Sequence, residues 1–209
     1  MSHPITKPPV LVLPTQIVDR WIVGPAFIPG SALPPLEELL AVEGFRFHPR
    51  HLAEEDPSWQ QVIPYIVVRS PSGWFRYRRG KAGSENRLHA LWSIGVGGHI
   101  EPVDGALMNP LAAYRAGMHR EICEELGITS NKNHFLGLLR DPSNAVGRVH
   151  LGFVHLVQVE SDVRGVEEAL LDGGHEGAEG IRRLAPQMES WSRILVESPA
   201  CELGLEPAE

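Results

Sequence analysis

The sequence predicts an α/β/α sandwich, a mixed or antiparallel sheet covered by helices on both faces, and three observations carry that prediction. Strand-like stretches come in pairs joined by turn residues, "VIPYIVVR" with "WFRYRR" and "HFLGLLRD" with "RVHLGFVHLVQVE", the signature of hairpins. A helical period runs over Pro110 to Leu126 between these pairs, and a second amphipathic stretch follows them. Strands and helices in this order bury two apolar sheet faces rather than one.

Residues 1–60 are proline-rich and loosely patterned. "VLVLP" is a short apolar stretch, "QIVDRWIV" reads as a strand, and "SALPPLEELLAVE" reads as a short helix that buries Leu36, Leu39 and Leu40. This part is expected to be an N-terminal extension, with the main domain over residues 61–209. The β texture begins at 62–69, turns at "PSG" and returns through "WFRYRR"; "LHALWSIGVGGHIE" is a further strand running into glycines. Asn109 then supplies an N-cap and Pro110 a first-turn proline for a helix that ends at Gly127. Leu111, Tyr114, Met118, Ile122 and Leu126 form its apolar stripe. In the second hairpin Val149, Leu151, Phe153 and His155 alternate onto one face, and His150 and His155, on opposite faces, are read as structural. "DGGHEGAEG" is expected to be a glycine-rich mobile loop. "PQMESWSRILVE" closes the core as a helix through Met188, Trp191 and Leu195.

Composition narrows the function. A formal charge of −7 over 209 residues and a pI near 5.8 argue against a nucleic-acid polymer or an anionic membrane as partner, since both call for excess Lys and Arg. The two cysteines, Cys123 and Cys201, make no disulfide framework. No apolar run is long enough to span a bilayer, and the N-terminus has no signal-peptide core. A cytoplasmic protein is expected.

The chemistry concentrates in "HREICEELG", residues 119–127. At about 100° per residue, Glu121, Glu124 and Glu125 fall on one patch of the helix. Like charges so placed cost a few tenths of a kcal/mol unless something positive sits on them. Three carboxylates backed by Arg120 suit a hard divalent cation such as Mg²⁺ or Mn²⁺, and no Cys/His cluster at zinc spacing competes. Arg120, beside Glu124 around the helix, would orient and partly neutralise that carboxylate.

This segment also carries a family resemblance. "REICEELGI", Arg120 to Ile128, is similar at every defined position to the second half of the Nudix box, REUxEExGU with U aliphatic, and "GGHIEPVD", Gly97 to Asp104, resembles its first half. Two departures stand out. Asp104 replaces the usual glutamate, and the fifteen residues between Asp104 and Arg120 exceed the family spacing, an insertion expected to lengthen the loop before the helix and to shape substrate access. The pattern looks like a divergent MutT-like subgroup.

The resemblance implies a Mg²⁺- or Mn²⁺-dependent hydrolase that cleaves the pyrophosphate bond of a nucleoside diphosphate linked to another group. It assigns catalysis to Arg120, Glu121, Glu124 and Glu125, and the metal to Gly98, Glu121, Glu124 and Glu125. A base outside the box is expected at Glu176, with Glu179 as alternative, and Arg79, Arg87 and Glu101 are expected to meet substrate, with Arg78 and Lys81 nearby. The expected partner is a small nucleotide diphosphate derivative, with a second copy of the chain as the macromolecular partner considered. The alternative is a Nudix-fold nucleotide-sensing or regulatory protein without hydrolase activity. Such proteins usually show a degraded carboxylate set, and the intact set here favours the enzyme.

Overall fold

Nine consecutive residues, 60 to 68, are buried in one long strand, and the sheet is assembled on it. A strand flanked on both edges and covered on both faces carries a near-continuous apolar run rather than a strict alternation. The computed structural model describes residues 7–80, 90–105, 109–129, 132–166, 170–201 and 203. In chain order its strands are β1 (Val10–Pro14), β2 (Ala26–Pro29), β3 (Arg46–His48), β4 (Trp59–Ser70), β5 (Gly73–Arg79), β6 (Trp92–Ser93), β7 (Gly95–Val96), β8 (His134–Arg140), β9 (His150–Gln158) and β10 (Leu170–Glu176). Its α-helices are α1 (Thr15–Val18), α2 (Leu36–Leu39), α3 (Arg50–Ala53), α4 (Pro110–Leu126), α5 (Ala178–Leu184) and α6 (Ser190–Glu197).

The main path of the sheet is β10-β5-β4-β9-β8-β2, with β1 and β7 also pairing β4, β3 pairing β1, and β6 pairing β5. The long central strand pairs in parallel with β9 from Gln61↔His150 to Arg69↔Gln158, while β5 and β8 add antiparallel hairpins on either side. The sheet is therefore mixed. One face packs Ile66, Val68, Leu151 and Phe153 against Tyr114, Met118, Ile122 and Leu126 of α4. The other packs Tyr65, Val67, Trp74 and Val154 against Ile181 of α5, Leu195 of α6 and Met188 just before α6. The alternation of residues 65 to 68 between two cores is the expected α/β/α sandwich.

Helix α4 has the expected ends. Asn109 Oδ1 accepts from Ala112 N at 2.9 Å, and Gly127 adopts φ 66° while its N–H reaches Cys123 O. A buried polar chain pins the helix to the sheet: Tyr114 Oη lies 2.8 Å from His155 Nε2, and His155 Nδ1 lies 2.7 Å from Asn133 Oδ1. The structural reading of His155 agrees with this position.

Three expectations are corrected. "QIVDRWIV" is not a strand: β1 stops at Pro14, which lacks the N–H a further rung needs, and the chain coils through α1 so that Val18 and Ile22 reach the core. "DGGHEGAEG" is not a mobile loop. Its first half is β10, paired to β5 through Gly174↔Arg76, His175↔Phe75 and Glu176↔Trp74, and its second half opens α5. The glycines there fit close neighbours, since a Cβ on Gly173 would lie 3.3 Å from the Phe75 ring. Third, the insertion lengthens the helix more than the loop, because Pro110 to His119 are already helical. That added length seats the N-terminal segment: Arg115 Nη2 donates to Glu37 Oε1 at 2.7 Å, and Leu111, Leu36, Val42 and Phe45 pack on the core that holds Leu11, Leu13, Leu39 and Leu40. Among the described residues no helix is long and apolar enough to cross a membrane.

Burial pushes the His155 imidazole down to about 3, so it folds neutral. Between that value and the ordinary imidazole value the unfolded chain binds a proton that the folded chain refuses, so stability falls as pH drops through this window. A full proton difference is worth about 1.4 kcal/mol per pH unit. Urea unfolding between pH 7 and 4 should give a shallower loss of stability in His155→Gln than in the wild type, by about one proton. Identical slopes would show that His155 is not held neutral.

Candidate active site

The glycine turn after β7 is shaped by what lies against it. Gly97 has φ +149°, and a Cβ there would sit 1.8 Å from the carbonyl oxygen of Pro64. At Gly98 a Cβ would sit 2.5 Å from the carboxylate carbon of Glu121. Backbone without side chains thus passes directly over the acidic patch of α4.

Arg120 gathers that patch. Its Nε and Nη2 donate to the two oxygens of Asp104 at 2.8 and 3.0 Å, its Nη1 donates to Glu121 Oε1 at 2.8 Å and to Glu124 Oε2 at 3.1 Å, and Nη2 also donates to the carbonyl of His99 at 2.9 Å. Paired carboxylates hold the guanidinium firmly protonated, with the Asp104 hydrogen bonds as the largest cause. Asp104 in turn accepts from Glu101 N at 2.8 Å, and the Glu101 side chain accepts from the Asp104 backbone across a short 3-10 turn. Here the shorter Asp104 side chain both caps that turn and forks onto Arg120, with Gly117 leaving room for it: a Cβ on Gly117 would lie 2.7 Å from Asp104 Oδ2. Burial raises the Glu121 carboxyl from its ordinary value, against the pull of Arg120. Glu125 acts electrostatically on Tyr77 and Arg79 instead.

The donors suit a hard divalent cation. They are all oxygens, and Glu121 Oε1 and Glu124 Oε2 already converge on one positive nitrogen, Arg120 Nη1, beside the bare Gly98. Among the described residues no three His, Cys, Asp or Glu groups converge closely enough to hold an ion as they stand, so a third carboxylate ligand calls for a side-chain rotation.

A cavity of about 140 Å³ opens against the same turn, lined by Tyr65, Arg79, Gly98, His99, Glu189 and Trp191 among others. Arg79 Nη1 donates to Tyr77 Oη at 3.1 Å, a phenol that burial pushes up to about 12. Glu189, at the start of α6, accepts from Trp191 N and Ser192 N at 2.8 Å and from Tyr65 Oη at 2.7 Å. His99 Nε2 lies 2.9 Å from Gln61 Oε1 and 3.4 Å from His150 Nε2, while His150 Nδ1 meets the carbonyl of Val146 at 2.7 Å. Burial holds His99 well below the usual imidazole range, with His150 adding to the effect, so the ring is neutral.

The structure thus brings Arg120, Glu121, Glu124 and Gly98 together and sets Arg79 in the adjoining cavity. Glu101 is committed to its cap. Glu176 is not brought to the cavity: strand pairing carries it to the end of β10, where its carboxylate lies against Gly180, and Glu179 is exposed beside Arg183. Arg87 and Lys81 lie outside the described residues. Sequence reasoning missed Glu189, whose signal was an acidic residue three before Ser192 at a helix start, and it missed Arg50 and Glu54, which line the same cavity. His150, read as structural, lines it too.

A mixed sheet between helix layers, with a glycine turn laid over an Arg-bridged acidic helix, is the arrangement that the Nudix resemblance of residues 97–128 implies. No family model matches the chain. It is 32% identical over 152 residues to protein YmaB of Bacillus subtilis (strain 168), covering 69% of this chain and 73% of that one. The crystal structure of Tm1382, a candidate Nudix hydrolase, superposes with a TM-score of 0.76 at 28% identity, over 90% of this chain and 96% of its own. The chain belongs to a divergent branch of the Nudix family.

The two glycines of the turn should respond differently to a methyl group. Gly97→Ala meets immovable backbone at a positive φ and is expected to cost about 2 kcal/mol or more. Gly98→Ala meets only the movable end of Glu121 and should cost clearly less, about 1 kcal/mol or below. Urea unfolding of both variants decides this, and equal losses would contradict the geometry.

Proposed function

We propose that the protein is a divalent-metal-dependent hydrolase that cleaves the pyrophosphate bond of a nucleoside diphosphate linked to another group. The observation that carries the reading is the single guanidinium of Arg120 tying Asp104, Glu121, Glu124 and the His99 carbonyl into one unit beside a cavity that holds Arg79. Glu121, Glu124, Glu125 and the Gly98 carbonyl would hold Mg²⁺ or Mn²⁺. A bound ion of this kind neutralises pyrophosphate oxygens and lowers the pKa of water. Arg120 keeps two carboxylates aimed at one point, so little reorganisation is left for the reacting state. Arg79 receives a phosphate oxygen, replacing a neutral phenol partner with a charged one. Water's oxygen bonds to phosphorus, the bridging P–O bond breaks, and the proton passes to a carboxylate of the α4 cluster. Glu189 is poorly suited to that task, since both its oxygens already accept hydrogen bonds that cap α6 and orient Tyr65.

The test pairs calorimetry with turnover. Glu124→Gln should weaken Mn²⁺ binding at least about tenfold and lower hydrolysis of a nucleotide panel at least about a hundredfold, while Glu176→Gln should keep turnover within about threefold. Equal Mn²⁺ affinity in Glu124→Gln and the wild type would overturn the ligand assignment. A hundredfold loss in Glu176→Gln would restore that residue as the base.

A further inference from the structure

Arg50 lies far from the box in the sequence, yet α3, starting directly after Pro49, carries it into the wall of the cavity beside Gly98 and His99. Its side chain is 12% exposed, and its Nε donates to Glu54 Oε1 at 2.9 Å. Among the described residues its two terminal nitrogens have no hydrogen-bond partner. These nitrogens are not among the fully buried unmatched atoms, so they stay open to the cavity that Arg50 lines and are free to donate to whatever fills it. Lys7 reaches the same Glu54 oxygen at 3.4 Å, which sets two cations against one carboxylate at this end.

Arg79 lines the same cavity with different neighbours. Arg79 donates to Tyr77 Oη at 3.1 Å, whereas Arg50 donates to Glu54 Oε1 at 2.9 Å. The cavity therefore has two cationic points with separate partners, and the neutral His99 in its wall adds no competing charge.

We infer that Arg50 forms a second anion subsite, which receives a phosphoryl group of the substrate other than the pyrophosphate handled by Arg79 and the α4 carboxylates. The inference rests on this cavity being the substrate cavity of the proposed hydrolase. Two adjacent terminal nitrogens of a guanidinium match two oxygens of a tetrahedral phosphoryl group, a geometry a neutral sugar or base edge does not use as fully. The N-terminal segment then selects substrates: it supplies a charge for a phosphate that the box itself does not reach. A substrate with an extra phosphate on its far end is favoured over its unphosphorylated twin.

Inorganic phosphate titrated by calorimetry into the full chain without divalent metal tests the subsite apart from turnover. Arg50→Gln should weaken phosphate about tenfold, Arg50→Lys should recover part of that loss, and Glu54→Gln, which removes the competing carboxylate, should tighten phosphate about threefold or more. Unchanged affinity in Arg50→Gln overturns the inference. If Arg50→Gln does not fold, Glu54→Gln decides alone, and unchanged affinity there overturns it equally. With turnover measured in parallel on ADP-ribose and ADP-ribose 2′-phosphate, Arg50→Gln should erase a preference for the phosphorylated form through KM rather than kcat. Arg50-dependent phosphate binding in a chain that hydrolyses nothing would remove the hydrolase and keep the subsite.

Discussion

All five N–H groups of Arg120 are matched: two to Asp104, one each to Glu121 and Glu124, and one to the carbonyl of His99. A guanidinium has five donors in a fixed plane, so its orientation is set by the whole group of acceptors and, in turn, sets theirs. The helix contributes two acceptors, the turn one and the short capped segment between them two. Removing any of these elements would leave the others misaligned. The carboxylates of α4, which would otherwise repel one another, are held on one positive centre, and the half-buried setting weakens solvent screening of these bonds relative to a surface pair.

The remainder of the fold supplies a frame for that group. The buried strand β4 backs the glycine turn through the Pro64 carbonyl and the Tyr65 ring, while the chain from Tyr114 through His155 to Asn133 pins α4 to β9. The insertion ahead of Arg120 adds helix rather than slack, and the added turns receive the N-terminal segment through Arg115 and Leu111. That segment joins the sheet through β1 and delivers α3 to the cavity. The long helix ahead of Arg120 and the N-terminal segment therefore pack as one unit.

What was legible in the sequence was local. Helix α4 announced itself through Asn109, Pro110, its apolar stripe and Gly127, all within one element. The Arg120 group was half legible: spacing placed the glutamates together, but the role of Asp104 depends on a contact sixteen residues away. Tertiary contacts decided the misreadings. Glycines in "DGGHEG" look like a loop until β5 offers an edge to pair with, and the branched residues of "QIVDRWIV" look like a strand until Pro14 ends the pairing. The cavity was illegible because Arg50, Tyr65, Arg79 and Glu189 come from four distant elements, and no periodicity links them.

On the proposed function, the Arg120-centred group is a hydrolytic site. Phosphorus NMR of a panel of nucleoside-diphosphate conjugates with Mg²⁺, for the wild type and for Arg120→Lys, tests it most directly, because lysine keeps the charge but offers three donors without the planar fork. The wild type should cleave at the pyrophosphate of at least one conjugate, and folded Arg120→Lys should be slower by about a hundredfold or more. A wild type inert across the panel, or a lysine variant equally fast, would contradict it.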